Sequence, residues 1–330
     1  MPRLYLAEYH QALTGKHICI ACREGILRDN FAHILADVKF LVRHGIRTSL
    51  YHNMANRIAN RKHFRLLAER LPETDIRRVA PDVDFYATVL DGEQSVFKLI
   101  FLERKYLCDQ NGYRINTLTT RDTMQNIDDI SANVNIAGVL KQICTRIAAG
   151  AYDRVHILPA RKDTIKHELF TVEGTGTLIA NNFSEQFLPA ATDQDVEMIA
   201  GILDLYAKKG FLKPRNKQYL SEHRERFRLT LIDGIAVGCV ERKEIDSSTV
   251  ELGALAISTR FRNQRVGVFT VNAFEAEARR SGFKRIISFT NNPRLHALYT
   301  QLDFKKGDLP EYAARRALSP GVAMFSKAVS

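Results

Sequence analysis

The chain has 330 residues, 45% hydrophobic and 26% charged, the mix of a soluble globular protein. This excludes disordered, collagen-like and disulfide-scaffold classes and suits two domains. Lys and Arg outnumber Asp and Glu by 48 to 37, a formal charge of +11. That excess favours an anionic partner (nucleic acid, an acidic surface or a phosphorylated small molecule) without choosing among them. No apolar run approaches the roughly 20 residues of a membrane helix. Glu8 and His10 stand where a signal peptide would stay apolar, so a cytoplasmic protein with no membrane partner is expected. Five Cys do not suggest a disulfide framework. Cys19 and Cys22 fall three apart on one strand and face opposite sides, so no metal site is expected.

In chain order, Ile18 to Ala21 reads as a buried strand. Phe31, Ile34, Leu35, Val38, Leu41 and Val42 then recur at helical spacing up to Gly45, a C-cap signal. Arg47 to Tyr51 is the next strand, and strand–helix–strand order points to a parallel α/β sheet with right-handed crossovers. Val96 to Leu102 and Val155 to Leu158 read as further strands. Between them lie a turn at Asp109 to Gly112 and a helix from Ile136 to Ala149 that ends at Gly150. After a short strand at Leu178 to Ala180, Asn181 to Ser184 is the candidate boundary, giving domains 1–183 and 184–330.

The second half opens on an amphipathic helix, Asp193 to Lys208. Strands follow at Phe227 to Ile232, Ile235 to Glu241 and Thr249 to Ile257, the first two joined by an Asp233-Gly234 hairpin turn. A basic loop, Thr259 to Gly267, leads into a helix from Val268 to Arg280 stopped by Gly282. A strand from Arg285 to Phe289, a helix from Pro293 to Leu302 and a last strand starting at Phe304 complete the chain. The loop carries Arg260, Arg262 and Arg265 beside a helix N-terminus, whose unpaired N–H groups attract phosphate. A solvated basic turn is the plainer reading of those arginines; the position between a strand and a long helix favours phosphate.

Arg262-Asn263-Gln264-Arg265-Val266-Gly267 resembles the acetyl-CoA loop of the GNAT acetyltransferase superfamily, [Q/R]-x-x-G-x-[G/A], with Arg265 in place of its first Gly. Asn292 to Phe304 resembles that superfamily's later N-x6-Y-x3-G-F pattern, with Asp303 in place of Gly. The resemblance implies that Tyr299 protonates the departing CoA thiolate. It also implies that Asn292 and the stretch Arg262 to Val268 hold the cofactor, and that backbone N–H groups at Leu255, Ala256 and Ile257 polarise the thioester carbonyl. Tyr299 as a packing aromatic is the alternative.

A narrower resemblance is to bacterial N-acetylglutamate synthases. It rests on Glu251-Leu-Gly-Ala-Leu-Ala-Ile257, Gly210 to Arg215, Leu309-Pro310-Glu311 and the closing Phe325-Ser326-Lys327. In the first half, Lys98 to Leu102, Arg154 to Leu158 and His167 to Thr177 resemble the amino-acid-kinase domain of the same family. The implied fold class is α/β, a degenerate amino-acid-kinase-like parallel sheet followed by a mixed α/β GNAT domain. The implied activity is acetyl-CoA-dependent acetylation of an amino acid, glutamate first and a related amino acid second, in arginine biosynthesis. Glu251 would be general base, and Arg215, Ser326 and Lys327 would bind substrate; an exposed strand Glu is the alternative for Glu251. Acetyl-CoA is the acyl donor and no metal is needed.

The kinase loops depart from the family at Ala21 to Gly25 and Tyr51 to Asn53. The first domain is therefore expected to be non-phosphorylating and to serve homo-oligomerisation or regulation. Glu168, Gly174 and Gly176 fit the family's arginine regulatory block, or close the sheet. A non-catalytic binder of CoA or amino acid is the rival reading. No nucleic-acid partner is expected, because no aromatic-and-basic reader motif is present.

Overall fold

Runs of β-branched and aromatic residues form the middle strands of two separate sheets, one in each half. The computed structural model describes residues 9, 13–92, 96–130, 134–171, 173–261, 265–307, 309–312 and 321–329. It divides into Met1–Phe183 and Ser184–Ser330.

The first unit has strands β1 (His17–Cys22), β2 (Arg47–His52), β3 (Asp75–Arg78), β4 (Lys98–Glu103), β5 (Thr117–Thr119), β6 (Arg154–Pro159) and β7 (Thr177–Ala180). They lie in the order β3-β2-β1-β4-β6-β7-β5. The first five in that order run parallel, and β7 turns back antiparallel to β6. Its helices are α1 (Glu24–Asp29), α2 (Phe31–Arg43), α3 (Arg61–Arg70), α4 (Phe85–Gly92), α5 (Thr120–Gln125), α6 (Val134–Ala148) and α7 (Thr164–Phe170). Strands covered on both faces must be apolar throughout rather than alternating. Accordingly β1, β4 and β6 are buried at every position after their first. The core on one face gathers Phe101, Val89, Leu140 and Ile143. Gly45 ends α2 with a φ of 69°, a left-handed backbone that glycine adopts freely.

The second unit has β8 (Glu185–Pro189), β9 (Phe227–Ile232), β10 (Ile235–Glu244), β11 (Thr249–Ile257), β12 (Arg285–Thr290), β13 (Lys305–Lys306) and β14 (Ala323–Ala328). Their order is β13-β14-β12-β11-β10-β9-β8. Among the described residues four α-helices accompany them: α8 (Asp193–Ala207), α9 (Lys217–Glu222), α10 (Val266–Arg280) and α11 (Pro293–Gln301). Thr192 and Asp195 close a capping box at the start of α8. Asp233 and Gly234 hold φ values of 53° and 78°, the two positive angles of a type I′ hairpin. Val240, Val250, Leu252, Phe274 and Phe325 form the core on the α10 face.

Two differences from the sequence reading matter for the site. Helix α10 begins at Val266 rather than Val268, because Arg265 takes the N-cap. Strand β10 runs on to Glu244 rather than stopping at Glu241, because its charged end pairs with β11.

Candidate active site

Strands β11 and β12 form the parallel pair of this otherwise antiparallel sheet. They pair only at Thr249↔Arg285, Val250↔Ile286 and Glu251↔Ile287. Beyond Glu251 they part, although β11 continues to Ile257. A side-chain bridge replaces the next ladder rung. Ser288 Oγ donates to the Leu252 carbonyl at 2.8 Å and lies 2.9 Å from Tyr299 Oη. With the serine proton committed to Leu252, the tyrosine hydroxyl is the donor of that second bond.

The other edge of β11 is irregular. Cys239 faces Ala256 and Glu241 faces Gly253, so β11 carries an extra residue there, a β-bulge. Ala254 holds a φ of 48° within it. Such a bulge leaves an N–H out of the ladder, the geometry an oxyanion requires. Gly238 permits the close approach of β10, since a Cβ there would stand 2.4 Å from Ile257 Cδ1 and 3.2 Å from the Ala256 carbonyl.

Where the strands part, a cleft of ≈ 720 Å3 opens, lined by Leu255, Ile257, Gly267, Val268, Asn292 and Leu298 among others. Lys209, Arg265 and Arg294 also line it. The first turn of α10 holds no acidic residue, so its N-terminal partial charge is uncompensated. Arg265 caps this helix at φ 54°, ψ 17°. A Cβ at Gly267 would stand 3.3 Å from Leu298 Cδ2, so glycine lets the first turn of α10 lie against α11. Asn292 lines the cleft as the N-cap of α11, with Oδ1 accepting from Arg294 N at 3.0 Å. Tyr206 Oη donates to the Ile257 carbonyl at 2.6 Å and walls the cleft from α8. Cationic rim, acid-free helix N-terminus and apolar floor suit a phosphorylated carrier with an acyl end, which is what acetyl-CoA is. Arg262, Asn263 and Gln264 lie outside the described residues.

Glu251 is 8% exposed, so the exposed-strand alternative does not hold. It faces away from the α10 core, since Val250 and Leu252 occupy that side. Lys243 is its partner on β10, with Nζ 3.7 Å from Glu251 Oε1. The register carries the same row across Ile287 to Ser326 on β14, two strands or about 10 Å from Glu251. Lys327 points to the opposite face, where Nζ binds Glu275 of α10 at 2.7 Å. The structure therefore brings Ser326 to the Glu251 face and does not bring Lys327 there. Arg215 does reach that face, where its guanidinium is bound to Glu241.

Tyr299 is 1% exposed, and burial pushes its hydroxyl well above the ordinary phenol range. It packs against Phe304 and Phe325, so the packing reading is met as well. A phenol kept protonated beside the parting strands can also give up a proton. The sequence reading missed Glu241, Lys243, Tyr219, Ser288 and Tyr206. Alternation along β10, extended past Glu241, places Glu241 and Lys243 on one face; nothing local points to the others.

Outside this unit, Glu168 accepts from Thr175 N at 2.6 Å and Gly176 N at 2.9 Å and pairs with His156 Nδ1 at 2.6 Å. A Cβ at Gly176 would lie 2.5 Å from the Ile157 carbonyl. These contacts support the sheet-closing reading of that block. No group of three or more His, Cys, Asp or Glu is gathered for a metal among the described residues. No helix there is long and apolar enough to cross a membrane.

Residues 196–304 match the model of the acetyltransferase (GNAT) family. The second unit thus contains a GNAT domain, and the chain is mixed α/β with two sheets. Among its relatives, an amino-acid acetyltransferase of Pseudomonas fluorescens is 27% identical over 197 residues, 58% of this chain and 44% of that protein. Another, of Ectopseudomonas mendocina, is 27% identical over 223 residues, 66% of this chain and 50% of its own length. The chain spans about half the length of these curated relatives. N-acetylglutamate synthase from Neisseria gonorrhoeae, solved with coenzyme A and L-arginine, shares the fold. Its TM-score is 0.55 at 16% identity, covering 98% of each chain.

Proposed function

We propose that this protein is an acetyl-CoA-dependent N-acetyltransferase acting on the α-amino group of an amino acid. The observation that carries the reading is the parting of β11 from β12 directly after Glu251, with Leu255 next to the bulge and Gly267 and Val268 of α10 lining one cleft. The GNAT match and the amino-acid acetyltransferase relatives support the reaction class. Glutamate is the first acceptor to test, from the resemblance of the Glu251 and Arg215 segments.

In this mechanism the pantetheine arm lies along Leu255 to Ile257 and the diphosphate rests on Gly267 and Val268 at the head of α10. Glu251 accepts a proton from the acceptor ammonium, directly or through water. The freed amine attacks the thioester carbonyl, and N–H groups of the bulge hold the oxyanion. The C–S bond then breaks. The attacking nitrogen gives its surplus proton to water, and Tyr299, turning its hydroxyl away from Ser288, protonates the departing thiolate and regains a proton from water. The first unit serves assembly of like chains or regulation in the cytoplasm.

The test follows acetyl transfer to an amino-acid panel by release of free thiol. Glu251→Gln and Tyr299→Phe should each lower kcat by about 10²-fold or more, in line with general acid–base contributions, with acetyl-CoA affinity changed by less than a few-fold. Activity surviving the double variant refutes both roles.

A further inference from the structure

Lys243 and Glu251 stand directly opposite each other on β10 and β11. Lys243 Nζ lies 3.7 Å from Glu251 Oε1 and 3.3 Å from Glu241 Oε2. Glu241 has partners besides that lysine: its Oε2 also holds the Arg215 guanidinium, and its Oε1 accepts from Tyr219 Oη at 2.6 Å. The Lys243 side chain is 25% exposed, against 0% for Glu241 and 11% for Glu251. An ammonium has three N–H donors, so a further anion can approach it beside the two carboxylates. The strand face thus offers an ammonium and a carboxylate side by side, 3.7 Å apart. A free α-amino acid presents the reverse pair, its ammonium N and a carboxylate O roughly 3 Å apart by covalent geometry.

We infer that Lys243 binds the acceptor's α-carboxylate while Glu251 takes a proton from the ammonium beside it, so that the site selects free amino acids over their amides and over peptide termini. Seated this way, the four charges alternate in sign around a closed ring, and each meets its opposite through a charge-assisted hydrogen bond. The arrangement also follows the charge as it moves. When an ammonium N–H bond breaks and its proton bonds to Glu251, the acceptor keeps a neutral amine and its carboxylate. The negative charge that Lys243 faced on Glu251 is then answered by the acceptor, which Lys243 already touches. An α-amide brings the ammonium without the carboxylate, and its cation competes with Lys243 for Glu251. A site built to bond a substrate group rejects the analogue that lacks it. The inference rests on the acetyltransferase reading and deepens it by naming the residue that sets the substrate class.

The experiment measures acetyl transfer to the twenty amino acids and to their α-amides, with calorimetry of the same compounds on the CoA-saturated protein. The best amino acid should exceed its own α-amide by about 100-fold or more in kcat/KM. Lys243→Met should lower kcat/KM for that amino acid by about 30-fold or more, chiefly through KM, and change it for the α-amide by less than about 3-fold. Lys243→Arg should restore most of the discrimination. Acetyl-CoA affinity and melting temperature show that the fold persists. Should Lys243→Met not fold, Lys243→Met with Glu241→Gln removes one charge of each sign and should show the same collapse of the ratio. Equal losses for acid and amide overturn the inference, because a lysine serving only the fold or the state of Glu251 lowers both alike. Wild-type transfer to an α-amide within about 10-fold of its amino acid overturns it too, and leaves the acetyltransferase reading standing. Discrimination in binding without transfer sinks that reading alone; no amino-acid binding at all overturns both.

Discussion

At the scale of single residues, the two departures from the GNAT patterns share one property. Arg265 and Asp303 stand where the patterns have glycine, and both hold positive φ, 54° and 62°. The backbone therefore keeps the left-handed bends and each side chain tolerates them, at a cost of about 1–2 kcal/mol for an L-residue. Arg265→Gly should consequently leave stability within about 1 kcal/mol of wild type, because relief of strain is offset by a looser unfolded chain. Arg265→Val should lose more than that and weaken acetyl-CoA binding, since β-branching makes this conformation an outlier. Urea melts and calorimetry measure the two effects. Position 265 was legible from the sequence as a pattern position, but its φ was not. The angle belongs to how α10 is capped, and no residue type dictates it.

Among elements, glycines separate close strand contacts from free surface. Gly176 immediately precedes β7, and a Cβ there would meet Leu158 Cδ2 at 2.2 Å and the Ile157 carbonyl at 2.5 Å. Gly176→Ala must push β7 from β6 and should cost about 1–3 kcal/mol, the range of overpacking. A methyl group added at Gly138 in α6 would meet nothing within 4 Å. Gly138→Ala should stabilise by about 0.5–1 kcal/mol through helix propensity. Thermal melts of both variants check the contrast. The long periodic helices α2, α8 and α10 could be read because burial of one face repeats every three to four residues. Short edge elements such as β3, β5, β8 and α9 could not, because their few residues take their conformation from neighbours distant in sequence.

For the whole molecule, two buried groups give stability opposite pH slopes. Burial pushes His52 down to about 4, with Arg78 adding to the effect. The folded state then binds fewer protons than the unfolded one, so this contribution is present above about pH 6.5 and is lost as pH falls toward 4. Burial also pushes Asp37 up to about 6, partly offset by the Ile165 N–H it accepts at 2.9 Å. Here the folded state holds the extra proton, so stability is present below about pH 4 and is lost as pH rises through 6. The slopes oppose each other between pH 4 and 6. Asp37→Asn removes one of them and can still accept from Ile165. Its unfolding free energy should rise with pH across that window more steeply than in wild type, by about 1–3 kcal/mol in total. Denaturant titrations at several pH values would read this, and parallel curves would refute it.

The sequence alone determined the alternation of strands and helices and the basic loop ahead of a long helix, signals that are local and set by periodicity and turn chemistry. The candidacy of Glu251, Asn292 and Tyr299 came from the resemblance to family patterns. Tertiary structure decided where β11 leaves β12, which face each strand residue takes after the bulge, and that Arg215 meets Glu241 while Lys327 meets Glu275. One extra residue in a strand reverses the facing of all that follow, and ion pairs between elements distant in sequence form only after those faces are set. The chemistry of the site was therefore written in residue types, and its charge balance arose from packing.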